Sequence, residues 1–117
     1  MKAFLKSFVY AFNGIKASLV EQRNLKVQTL IALITIVAGF YYNITTSEWC
    51  IIILSIALVM GLEMINSALE NLVNLVTQEK NFLAGKAKDM AAGAVLFASV
   101  LAVVIGFLIF EKYIFPQ

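Results

Sequence analysis

The sequence contains no histidine. That absence removes the side chain most often used as a general base near neutral pH, and with it every histidine-based metal motif. Cysteine occurs once, at Cys50, so no intrachain disulfide can form. Cys50 lies in the apolar run 49–60 and reads as a small buried hydrophobe. The single proline, Pro116, stands at the extreme end and constrains nothing inside the chain. Charged residues make up only 14% of the sequence, against about 25% in soluble domains. No basic run interleaved with aromatics is present, which argues against a nucleic-acid partner. No Walker loop GxxxxGK[ST] and no protein-kinase glycine loop is found. There is also no internal repeat and no low-complexity tract.

What the chain does have is apolar residues. They account for 62% of its 117 positions, and the mean hydropathy is +0.90. A small soluble domain buries too little of its surface to hide that much apolar area, so the bilayer is the natural solvent. Three long apolar stretches stand out: 27–42 (VQTLIALITIVAGFYY), 49–62 (WCIIILSIALVMGL) and 91–110 (AAGAVLFASVLAVVIGFLIF). A spanning helix needs about 20 such residues. The third stretch satisfies this alone, and the first does with its flanks. The second continues in helical register through residues 63–76. One all-α integral membrane domain over 1–117 is expected, with transmembrane helices at about 25–43, 49–76 and 88–110. Residues 43–48 and 77–89 act as linkers, with Gly85 as a turn or boundary residue.

Lysine and arginine set the orientation. Lys2, Lys6, Lys16, Arg23 and Lys26 precede the first span, and Lys80, Lys86 and Lys88 lie between the second and third. The first linker has none, and Lys112 alone follows the third span. By the positive-inside tendency the N-terminus and second linker are cytoplasmic. Trp49 then fits an anchor at the outer interface, with Tyr41 and Tyr42. Residues 1–20 lack the continuous apolar core of a signal peptide. Their Phe4, Phe8, Phe12, Ile15 and Leu19 recur at helical spacing, which predicts an amphipathic helix on the membrane surface.

The residues with chemical potential lie at the inner end of the second span. Glu63, Asn66, Glu70 and Asn74 are spaced by three or four, so they form one polar stripe on one helix face, bordered by Ser67. A carboxylate near hydrocarbon is costly, and an intramembrane ionisable residue is a functional candidate by default. Pairing of neighbouring helices explains one amide, but not two amides and two carboxylates. Carboxylate oxygens suit Mg²⁺, which binds through one or two of them plus substrate phosphates. Lys86 and Lys88 are expected just before the third span, where free N–H groups of the helix start favour phosphate.

The run Glu63-Met-Ile-Asn66-Ser-Ala-Leu-Glu70-Asn-Leu-Val, followed by Ala87-Lys88-Asp89-Met-Ala-Ala-Gly-Ala-Val, resembles the signature of the prokaryotic diacylglycerol kinase family, which includes undecaprenol kinases. The likeness extends to Ser7-Phe-Val-Tyr10-Ala-Phe-Asn-Gly-Ile, to Arg23-Asn24 and to Glu48-Trp49. The Tyr10–Ile15 and Glu48-Trp49 segments look more like the undecaprenol kinase branch.

The resemblance implies a multi-pass protein of the bacterial inner membrane, assembled as a homotrimer. It implies an ATP-dependent lipid kinase that transfers the γ-phosphate to the hydroxyl of a lipid alcohol, undecaprenol or diacylglycerol, with Mg²⁺. By the same resemblance Glu63 is the general base, with Asn66 in the same catalytic site. Glu70 is a metal and nucleotide ligand, Lys88 contacts phosphate, and Asp89 neighbours the nucleotide. Tyr10, Glu79, Lys80 and Asn81 also contact nucleotide. Gln22 stands where the family usually has a second metal-binding glutamate, with Glu21 beside it as a substitute. Asn74 stands where an aspartate is common. Two other readings compete: a small oligomeric channel or transporter using the two stripe carboxylates, and a catalytically weakened, kinase-like scaffold.

Overall fold

The computed structural model describes residues 1–116 and builds them into four helices: α1 (Lys2–Glu21), α2 (Arg23–Tyr42), α3 (Thr46–Val76) and α4 (Phe82–Ile114). The last three are long and apolar enough to cross a membrane. At 1.5 Å per residue, α2 is about 30 Å long, the thickness of a bilayer's hydrocarbon core. By the same rise α3 and α4 reach about 46 and 50 Å.

Each boundary has a local cause. The chain breaks between α1 and α2 at Gln22, whose backbone is extended (φ −100°, ψ 112°). α2 ends on Asn43 in the left-handed region (φ 52°, ψ 54°), a conformation that asparagine tolerates. Ile44 and Thr45 follow, and Thr45 caps α3. Its hydroxyl accepts from the Glu48 N–H at 3.2 Å, while the Glu48 carboxylate accepts from the Thr45 N–H at 3.0 Å, a reciprocal capping box. Glu48 is thus inside the first turn of α3 and not in a linker.

The start of α4 also departs from the sequence expectation. It lies at Phe82 rather than near residue 88, so the second linker is only 77–81. The Asn81 side chain accepts from the Leu83 and Ala84 N–H groups at 2.9 and 3.1 Å, and the Asn81 carbonyl accepts from Gly85. Gly85 is accordingly helical. Lys86 and Lys88 are on the second turn, and three amides of the helix start, those of Leu83, Ala84 and Gly85, are already engaged. The expected phosphate cradle of free N–H groups before Lys88 does not form.

The packing is asymmetric. The buried cluster Ile44, Ile52 and Ile109, flanked by Tyr42, Trp49, Ile56, Ile105, Phe110 and Tyr113, sits at the end where α2 turns into α3 and where α4 finishes. Polar bonds close the same end. Lys112 Nζ lies 2.6 Å from Glu48, and the Tyr113 hydroxyl donates to the Glu48 carboxylate at 2.5 Å. Trp49, placed by sequence as an interfacial anchor, is half-buried and lies over Gly39, with Phe40 against its ring at a centroid distance of 4.9 Å. Cys50 is exposed, contrary to the expected burial. It is two residues from both Glu48 and Ile52, which puts it on the opposite side of α3 from the packed face.

Elsewhere little is buried. The chain exposes 9012 Å², whereas a soluble monomer of 12.9 kDa exposes about 6300 Å². Most side chains of α2 and α4 point away from the chain itself. α1 buries none of its residues, and its Phe4 and Phe8 rings meet edge to face.

Gly39 is the position where α2 approaches Trp49 most tightly. A Cβ there would stand 2.6 Å from Trp49 Cη2. Gly39→Ala is expected to destabilise the α2–α3 hairpin by about 1–3 kcal/mol, the usual cost of overpacking. Thermal unfolding in detergent measures this. The combination with Trp49→Leu should recover most of the loss, and an additive double variant contradicts the packing account.

Candidate active site

The polar stripe is where the periodicity puts it, on the face of α3 that turns toward α4. Glu63, Asn66 and Ser67 are buried, at 3%, 8% and 6% exposure, and Glu70 is half-buried. The register of α3 on α4 follows from their contacts. Glu48 meets Tyr113 at one end, and Lys88 Nζ donates to Asn74 Oδ1 at 2.6 Å at the other. The helices therefore run antiparallel, in register to within one residue, which sets Glu63 at about the level of the buried Ala98 and Asn66 at about that of the buried Val95.

Helix lengths fix the depth of each group. α2 and α3 are joined by a short turn, so the extra length of α3 projects entirely at the far end. One bilayer thickness of α3, about 30 Å from Thr46, ends near Ile65. Glu63 lies just inside that level. Glu70 is about 10 Å further along the axis, and Asn74 about 16 Å. By the same count Gln22 is near the level of Asn66, with Glu21 the last residue of α1. Gln22 is half-buried and Glu21 exposed.

Glu63 and Glu70 form no ion pair among the described residues. The one ion pair among the described residues joins Lys112 to Glu48, at the opposite end of the helices. Asn66 Oδ1 is buried with no hydrogen-bond partner. An unpaired buried polar atom costs on the order of 1–3 kcal/mol, and such an atom beside a buried carboxylate suits a ligand that brings a donor.

A second region lies beyond the stripe. Thr77, Gln78, Glu79, Lys80, Asn81, Phe82, Ala84, Gly85 and Lys88 line an open concavity of about 470 Å³. It gathers four of the residues expected to contact nucleotide: Glu79, Lys80, Asn81 and Lys88. The Glu79 N–H is held by the Thr77 hydroxyl at 3.2 Å, which turns the linker back toward α4. The Asn81 side-chain oxygen is engaged by the cap. Asp89 and Tyr10 are exposed, and neither lines the concavity; Tyr10 is on α1 at 68% exposure. The Asn74–Lys88 bond connects the stripe to the concavity. Among the described residues no three His, Cys, Asp or Glu side chains cluster. The donors present are single carboxylates and amides, the set that Mg²⁺ uses when phosphate oxygens complete its shell.

Sequence reasoning passed over Gln28. It lines a cleft of about 230 Å³ between α2, α3 and α4, with Met60, Ser99 and Gly106 among its neighbours, and its Oε1 is buried without a partner. The available signal was its amide, the one ahead of a run of apolar residues in the first span. The Asn74–Lys88 bond had no such signal, since it joins residues 14 apart.

Residues 9–110 match the family model of the prokaryotic diacylglycerol kinases. The chain is 39% identical over 110 residues to undecaprenol kinase of Bacillus subtilis, covering 94% of this chain and 89% of that protein. It is 40% identical over 103 residues to a diacylglycerol kinase of Synechocystis, covering 87% of this chain and 59% of that longer relative. With the diacylglycerol kinase of Escherichia coli K12 it shares 30% over 100 residues, or 86% and 82% of the two chains. An acidic stripe at the membrane level, a lysine bonded across to its far end, and a family match over nearly the whole sequence agree, and the chain belongs to the prokaryotic diacylglycerol kinase family of lipid kinases.

Proposed function

We propose that this lipid kinase phosphorylates a lipid alcohol, undecaprenol or diacylglycerol, at the cytoplasmic face of the bacterial inner membrane, with ATP as donor and Mg²⁺ as cofactor. The observation that carries this is Glu63, a carboxylate 3% exposed, without an ion-pair partner, at the level where one bilayer thickness of α3 ends. A lipid alcohol presents its hydroxyl at that depth. The lysines of α1, Arg23 and Lys26 at the start of α2, and Lys80, Lys86 and Lys88 favour the cytoplasm for this end of the helices. ATP then reaches the concavity from water, while the lipid reaches Glu63 from the bilayer.

The chemistry needs one proton transfer and one displacement. Glu63 accepts the hydroxyl proton. The lipid oxygen bonds to the γ-phosphorus, the bond from that phosphorus to the β-phosphate bridging oxygen breaks, and ADP leaves. Asn66, one turn from Glu63 on the same face, orients the lipid hydroxyl by donating an amide N–H to its oxygen, which leaves the hydroxyl proton for Glu63. Lys88 meets the charge on the transferred phosphoryl group, as positioned cations do in phosphoryl transfer. Tyr10, Glu79, Lys80, Asn81 and Asp89 are assigned to the nucleotide. Glu70 would hold Mg²⁺, with Gln22 or Glu21 as the weaker second donor; the bound ion supplies neutralisation of the phosphate oxygens. α1, with no buried residue, rests on the membrane surface. A homotrimer covers part of the apolar surface that a single chain leaves open. A channel or a silent scaffold has no comparable support.

Phosphate incorporation from Mg-ATP into undecaprenol and into diacylglycerol, in mixed micelles, is the direct test. Glu63→Gln is expected to lower kcat by about 10²–10⁴, the range for a general base, with little change in the KM for ATP. Activity toward neither lipid, or a Glu63→Gln enzyme as fast as the parent, sinks the proposal. Glu70→Gln is expected to raise the Mg²⁺ concentration needed for half-maximal rate at least tenfold, and chelation should abolish turnover. An unchanged Mg²⁺ requirement removes Glu70 as the ligand.

A further inference from the structure

Lys88 is surrounded by choices. Glu70 is one turn from Asn74 on the facing helix, and Asp89 is its own neighbour, yet its ammonium donates to a neutral amide, Asn74 Oδ1, at 2.6 Å. It forms no ion pair, since the pair among the described residues is Lys112 with Glu48. This is also the side-chain bond that joins α3 to α4 at the end where they project beyond α2; the other cross-helix polar bonds gather at Glu48. Lys88 is half-buried and borders the concavity lined by Glu79, Lys80 and Asn81.

We propose that Asn74 is a positioning residue for Lys88, holding its ammonium at the rim of the nucleotide concavity through one acceptor bond. The inference rests on the proposed role of Lys88 toward phosphate. A free lysine has four rotatable carbons and a large rotamer entropy, so an unanchored ammonium spends most of its time elsewhere. One bond to Asn74 fixes it on the α3 side and leaves two of its three N–H donors for phosphate oxygens. Because the anchor is an amide, the cation keeps its whole charge. Glu70, left without a lysine, keeps its own for the metal. Asn74 touches no reacting atom in this scheme. It acts through Lys88.

The test is steady-state kinetics on the full-length protein in mixed micelles, varying ATP and lipid separately, with thermal unfolding alongside. Asn74→Leu, similar in size and without an acceptor, is expected to raise the KM for Mg-ATP about three- to tenfold, the loss of one hydrogen bond. The KM for lipid and the unfolding midpoint should stay near the parent values. Asn74→Asp keeps the acceptor and should bring the KM for ATP back to within threefold of the parent. In a Lys88→Met background, Asn74→Leu should add nothing. An unchanged KM for ATP in Asn74→Leu overturns the proposal, as does an equal effect with and without Lys88, or a change confined to the lipid KM. If Lys88→Met itself leaves the KM for ATP and kcat intact, the phosphate role of Lys88 fails first, and the proposal falls with it.

Discussion

The register of α3 against α4 governs where every functional group ends up, and it is set at the end of the molecule furthest from the proposed chemistry. Glu48 receives the Lys112 ammonium, the Tyr113 hydroxyl and the Thr45 amide, so its buried carboxylate is fully satisfied. From there α3 runs about 39 Å to Asn74, and α4 runs about 38 Å from Tyr113 back to Lys88, at 1.5 Å per residue. The two paths agree to within one residue, and Asn74 and Lys88 meet. A slip of one residue would move the facing side chains by 100° around each axis and separate them. Burying such a charge cluster is weak evidence of stability in itself, but it is well suited to fixing register.

Unequal helix lengths convert that register into a geometry for two solvents. α2 has 20 residues and matches the bilayer, while α3 and α4 have 31 and 33. Because α2 and α3 share a tight turn, the surplus appears only at the far end. There the apolar code of the spans gives way to Glu63, Asn66, Glu70 and Asn74 on α3 and to Lys86, Lys88 and Asp89 on α4. A carboxylate is affordable in hydrocarbon only at the margin, and Glu63 is at that margin.

Much of this was legible in the sequence, for identifiable reasons. Span number followed from hydropathy, and the stripe from helical period, because both are local properties of the chain. The start of α4 was misplaced since residues 82–90 are mixed in polarity, and apolar patterning says nothing about where a mixed segment begins to coil; the Asn81 cap decides it. Cys50 was assigned to the interior by residue type, but in a membrane helix apolar character does not distinguish the lipid face from the packed face. The Asn74–Lys88 and Glu48–Lys112 bonds were out of reach, because they depend on which helices pair and in what register. The family resemblance named Lys88 and Glu63, yet it carried no information on what holds either in place.

A reaction between a nucleotide and a lipid imposes a constraint that a single rigid helix can meet. The donor cannot enter hydrocarbon, and the acceptor hydroxyl cannot travel far from it. Glu63 and Glu70 share a face of α3 about 10 Å apart along the axis, a spacing fixed by seven residues of helix rather than by any loop. The proposed base is thereby held at the lipid level and the proposed metal ligand on the water side of it. Lys88, on the antiparallel partner, is fixed to the same frame through Asn74. What a single chain of this size does not provide is enclosure, for it exposes 9012 Å², and the concavity and the outer end of the stripe, at Glu70 and Asn74, are open. Water competes with every charge interaction in such a site. Covering the open side with neighbouring copies and lipid would strengthen each of these interactions without altering any residue of the stripe.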